Sequence, residues 1–336
     1  MSARDDPGPG LAEALALWAI LGVLCVLAWI TYARLPARDF YNVSGTGVRA
    51  GASRVLVLLG WPISIIAIAL LAVAVDRLLA DDSLGRRARR LVVVSAWVSF
   101  GLCLTIVWPG VVNQDNLDAK PSNVLAAIGV GLALALTLWG LAHRGAGRYP
   151  RGVVGDRAAV ALIALLLVAG IPWLFAHIGF YVGDVPGLRA IFMSKKIIPE
   201  AGHPHLHAVH LGNHEGLDGI LLAATALALS RQLGLMRPTR LRSFLAGYLA
   251  LALCYGLGVS IQDGWHEQLV KRGWLGTQFP NVIRPGLTLA WGGLLVCAAL
   301  AYRLVVRPRL RQVAEGAPAM TRGSPWLTRS QRQDPV

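Results

Sequence analysis

VLVLLGWPISIIAIALLAVAV, residues 55–75, runs for 21 residues without a charged side chain. A helix rises 1.5 Å per residue, so a run of this length reaches about 30 Å, the thickness of a bilayer's hydrocarbon core. The run is continuous and does not alternate, which excludes a barrel strand. Backbone groups removed from water must satisfy one another, and within one segment a helix does that. Seven more such runs flank it: Leu11–Ala33, Leu91–Pro109, Asn123–Ala142, Ala158–Ile178, Leu211–Met236, Ser243–Ile261 and Gly286–Tyr302. One run alone is compatible with a buried helix of a soluble protein; eight in one chain are not. The sequence therefore predicts an all-α, polytopic transmembrane helix bundle of about eight spans.

Composition agrees. The chain has 336 residues, 55% of them hydrophobic and 15% charged, whereas soluble domains are nearer a quarter charged. A net charge of +14 raises the question of nucleic acid, but the basic residues sit between apolar runs rather than in one patch with interleaved aromatics. No nucleic-acid partner is expected; the expected partner is the lipid bilayer. Cys25, Cys103, Cys254 and Cys297 all fall inside apolar runs without a CxxC pair, so they read as small packing residues. The first run is longer than a signal-peptide core and lacks a convincing cleavage site, so it reads as a retained span. The Ala, Arg, Gly and Val bias is that of a GC-rich bacterial coding sequence.

Orientation follows from the basic residues, which favour the cytoplasmic side. With the N-terminus inside, the inner connections and tail carry 21 Lys and Arg, the outer ones 11. Both termini are then inside, in a cell membrane crossed many times. The outer connections are 34–54, 110–122, 179–210 and 262–285, joined with the spans into one bundle over 1–306. Residues 307–336 are rich in Pro, Ser, Arg and Gln and read as a disordered cytoplasmic tail.

Seven of the eight histidines fall on the outer side in this orientation, although only Lys and Arg set it. Five lie in GHPHLHAVHLGNHEGLDG, residues 202–219. In its first part, extended backbone around Pro204 points His203, His205 and His207 to one side. Its second part has helical spacing. With His207 as origin, His210 falls at about 300°, His214 at about 340° and Asp218 at about 20°, with Glu215 beside them at about 80°. Imidazoles one helical turn apart share a metal ion readily. His177, His266, Glu267, Asp263, Asp115 and Asp118 are donors available from neighbouring outer connections. The expected cofactor is a divalent transition metal; zinc, copper and iron all accept such donors. His214-Glu215 begins like the HExxH zinc-protease motif, but Asp218 stands where its second histidine would be. Lys195, Lys196 and Arg189 in the same connection read as solvated charges, and one methionine there, Met193, gives little support to a copper(I) site.

The function expected from this pattern is a membrane-embedded, metal-dependent enzyme at the outer face. It would hydrolyse or transfer a group on an amphipathic or lipid-linked substrate. His203, His205, His207, His210, His214, Asp218, His266 and His177 are the candidate ligands, and Glu215, Glu267 and Asp115 the candidate general bases. One alternative is a metal-ion transporter or sensor using the same histidines. It predicts polar residues at membrane depth, and the spans read as nearly free of charge. Another is a transferase for polyprenyl-linked substrates, built on Asp115 or Asp118 with a divalent ion.

Overall fold

Pro62 divides the run that opened the sequence. In the computed structural model, which describes residues 9–34, 46–108, 119–142, 157–177, 215–234, 236–237, 239–307 and 310, this run is two helices. The first, Val48–Gly60, ends at Trp61, whose backbone is extended (φ −154°, ψ 169°). The second, Ile63–Ala80, starts behind Pro62. Proline has no N–H and disfavours a helical residue before it, so the expected single span breaks here. Ser64 partly repairs the break by donating its hydroxyl to Leu59 O at 2.6 Å.

Nine α-helices follow in chain order among the described residues, with no strand: α1 Pro9–Arg34, α2 Val48–Gly60, α3 Ile63–Ala80, α4 Arg86–Cys103, α5 Pro121–Ala142, α6 Arg157–His177, α7 Glu215–Ser230, α8 Arg240–Trp265 and α9 Leu289–Ala301. A 3-10 turn, Leu104–Val107, extends α4; π turns extend α8 to Val270 and α9 to Val306. Six stretches are long and apolar enough to cross a membrane: Glu13–Arg34, Ile63–Ala80, Arg86–Val107, Pro121–Ala142, Arg240–Val270 and Leu289–Val306. A shorter apolar helix, Arg157–Ile171, lies within α6. The protein is thus an all-helical, multi-pass membrane bundle.

Two helices begin or end away from the expected borders. Residues 48–54, expected in a connection, form the first turns of α2, and 262–270 continue α8. Polarity ended these spans in the sequence reading. In the bundle their polar side chains Arg54, Asp263 and Glu267 are buried, so polarity did not mark a helix end.

α3 occupies the centre. Its span window is 72% buried, against 22% for α4 and 17% for α9, whose apolar side chains face outward as lipid contacts would. Lipid tails are as apolar as leucine, so close packing and hydrogen bonds must select helix partners. Trp18 Nε1 donates to Thr137 Oγ1 at 3.2 Å, Ser99 Oγ to Gly129 O at 2.7 Å and Tyr248 OH to Ile65 O at 2.8 Å. α7 and α8 pack most extensively. A Cβ on Gly219 would collide with Gly256 O, and one on Gly256 would come within 2.7 Å of Ala223 N. At the opposite end of the bundle, Arg237 Nε meets Asp76 Oδ1 at 3.4 Å and its NH2 group donates to Asp76 O at 3.0 Å, tying α3 to the start of α8.

Candidate functional site

Where α7 begins and α8 ends, ionisable side chains turn inward. Arg54 of α2 is fully buried, Asp218 of α7 is 1% exposed, and Asp263 and Glu267 of α8 are 7% and 6% exposed. Removing a charge from water costs several kcal/mol, so such residues persist inside a membrane bundle only with partners or with a task. Three of the four have partners. Arg54 lies over the Tyr32 ring of α1, 5.9 Å from its centroid. Glu267 pairs with Lys271 one turn further on at 2.7 Å. Asp263 also has a partner, and it packs so close to Gly216 that an added Cβ there would fall 2.6 Å from its Oδ2.

Asp218 is the exception. Neither carboxylate oxygen has a hydrogen-bond partner among the described residues. Arg54 and Asp263 both act on its charge across space, with opposite signs. It lines a cavity of about 10 Å³ with Leu21, Leu58, Pro62, Ile66 and Leu217 among its apolar walls. That volume is at the lower limit for one water molecule. The α2–α3 break borders this cavity through Pro62.

Local sequence explains how acids reach this depth. Gly216 and Gly219 have no side chain, so α7 comes against α8, and Trp173 of α6 closes over Gly216, 2.7 Å from where a Cβ would be. Ser260 shares its hydroxyl between Gly216 O and Gly256 O, each at 3.0 Å. The π turn His266–Val270 follows directly after Trp265, and such turns are frequent at functional sites. Asp263, Glu267 and Lys271 recur at intervals of four, so they share a stripe of the α8 extension.

Of the residues expected from sequence, Asp218, Asp263 and Glu267 come to this end of the bundle. Glu215 occupies the first turn of α7, half-buried, and His266 the first position of the π turn, also half-buried. His203, His205, His207, His210 and His214, with Asp115 and Asp118, lie outside the described residues. His177 ends α6, and its side chain also lies outside them. Among the described residues no three His, Cys, Asp or Glu side chains gather as a metal site.

Ala119, the first described residue after 109–118, donates its N–H to Ser53 Oγ at 3.3 Å, next to Arg54. Glu215 follows 178–214 directly and lies one helical turn before Asp218. Arg54 and Tyr32 are the members of the cluster that sequence reasoning missed. Arg54 counted there as a flanking charge of a basic connection. A usable signal was the small-residue run Gly51-Ala52-Ser53 before it, which lets α2 approach Trp29 of α1.

No family model, curated protein or solved structure matches the chain.

Proposed function

We propose that the protein is an enzyme of the cell membrane that uses a divalent transition metal at the outer face, on an amphipathic or lipid-linked substrate. The bundle crosses eight times with both termini inside, α6 and α7 adding two crossings to the six long apolar helices. What carries the reading is the carboxylate of Asp218: buried, and with both oxygens unused by any described hydrogen-bond donor. A buried carboxylate with no described hydrogen-bond donor suits a cation. His214, four residues earlier, precedes α7 directly and supplies the second donor if the helical phase extends back to it. His207 and His210 continue the same stripe, and Asp263 is the nearest further carboxylate. A metal held there supplies an activated water or a polarised carbonyl or phosphoryl group. Glu215, in the first turn of α7, and Glu267, in the α8 extension, are the general-base candidates among the described residues.

A second reading has its own observation. The α2–α3 break lies against the Asp218 cavity, and discontinuous helices beside a buried acid also build cation transporters. In that case Asp218 binds the transported ion and the histidines capture it.

The test is elemental analysis of full-length protein purified in detergent, with Asp218→Asn and His214→Ala beside it. The proposal expects about one divalent transition-metal ion per chain, lost in both variants. Protein that carries no such metal, or variants that keep it, would overturn the metal site. Metal-dependent uptake into vesicles that Asp218→Asn abolishes would favour transport over catalysis.

A further inference from the structure

A second cavity lies on the other flank of the α2–α3 break. It measures about 100 Å³ and is walled by α3, the 3-10 turn after α4, α8 and the segment leading into α9. Trp61, Ile65, Leu104, Tyr248, Leu251 and Ala252 are among its lining residues, and no lining residue is charged. Its polar atoms are almost all used within the fold. Trp61 Nε1 donates to Tyr255 OH at 3.1 Å, Tyr255 OH donates to Ile283 O at 2.8 Å, and Tyr248 OH donates to Ile65 O. One donor is left over. Trp291, which also lines the cavity, has a buried Nε1 with no hydrogen-bond partner among the described residues.

We infer that this crevice is a binding site for an acyl chain of a bilayer phospholipid, with the ester carbonyl accepting from Trp291 Nε1. The inference does not depend on the metal reading. An uncharged, aromatic-walled crevice takes hydrocarbon and rejects a charged solute. The unused, buried N–H calls for one acceptor drawn into the crevice, and indole rings sit at the depth of lipid carbonyls. The crevice is also continuous with the surface that faces lipid. Val107 lines it and is 46% exposed, and Leu287 and Leu289, between the lining residues Pro285 and Trp291, are almost fully exposed. A chain seated there touches Trp61, whose neighbour Pro62 walls the Asp218 cavity.

The experiment uses full-length protein in phosphatidylcholine vesicles containing a phosphatidylcholine with a diazirine on its acyl chain. After irradiation, labelled residues are mapped by peptide mass spectrometry. Label is expected to concentrate on Leu104, Tyr248, Leu251 and Ala252 over the outward face of α4. Ala252→Phe, which fills the crevice, is expected to remove that label and leave the α4 label unchanged. Trp291→Phe, a milder change, is expected to lower crevice label about fivefold, the worth of one ordinary hydrogen bond. Crevice label no stronger than that on α4, or unaffected by Trp291→Phe, overturns the site. If an isoprenoid quinone displaces the phospholipid label from the crevice while α4 stays labelled, a phospholipid is the wrong occupant.

Discussion

A buried carboxylate with no hydrogen bond is a liability that a purely structural position would not retain. Leaving a polar group unsatisfied costs about 1–3 kcal/mol, more when it is charged. Asp218 is in that state among the described residues. In metal-free protein, Asp218→Asn should therefore leave thermal stability in detergent unchanged or raise it by about 1–3 kcal/mol. The yardstick is Leu222→Ala in the same helix, at a site 1% exposed, where the loss should be about 2–5 kcal/mol. An Asn variant as damaged as that would make Asp218 a structural residue. Arg54 gives the complementary sign. Arg54→Gln removes the buried cation whose charge acts on Asp218 and should cost about 3–5 kcal/mol. Adding Asp218→Asn to it should recover part of that loss, because the two groups act on one another. Strictly additive unfolding free energies would show that they do not. Asp218 stood out in the sequence because helical numbering puts it in phase with the histidines before it, which lie outside the described residues. Arg54 did not, since an arginine at the head of an apolar run looks like any flanking charge, and the acid it faces lies far along the chain.

Helix positions were legible from hydrophobic runs because lipid leaves a continuous apolar segment no other way to satisfy its backbone. Their ends were less legible. Residues 55–75 read as one span, yet Trp61 is fully extended and separates two helices. The α8 extension carries Asp263 and Glu267, which read as connection polarity until burial and the Lys271 pair place them inside. Helix pairing was not legible, because small residues occur on many faces and only a subset is in contact. α7 and α8 show the difference. A Cβ on Gly219 meets the backbone of Gly256 and Ser260, atoms that cannot rotate away, whereas Gly247 on α8 has nothing within 4 Å. Gly219→Ala should destabilise by about 1–3 kcal/mol, as overpacking does. Gly247→Ala should stabilise by about 0.5–1 kcal/mol, the helix-interior difference between the two residues. Unfolding midpoints of both in one detergent decide it; equal effects would mean that α7 and α8 are not in contact there.

The topology of the whole chain turns on α6 and α7, the two helices outside the set of six long apolar stretches. Parity makes the question answerable. Ser83 precedes α4 and Gly276 follows the α8 extension, and both are exposed. Five helices, α4 to α8, separate them. If all five cross, or if only α4, α5 and α8 cross, the two positions lie on opposite sides; if one of α6 and α7 fails to cross, they lie on the same side. Lys195, between α6 and α7 in the chain, separates the two opposite-side cases. In a background lacking the four cysteines, a membrane-impermeant maleimide applied to intact cells should label Gly276→Cys and Lys195→Cys but not Ser83→Cys. Labelling of Gly276→Cys without Lys195→Cys would leave both α6 and α7 on one side. It would also move the histidines of 203–214 to the inner face and detach them from the proposed outer site. Reversed labelling of all three would place the Asp218 end of the bundle inside. The excess of arginine at the other end, where Arg86, Arg87, Arg89 and Arg90 open α4, argues against that outcome, since basic connections stay on the cytoplasmic side.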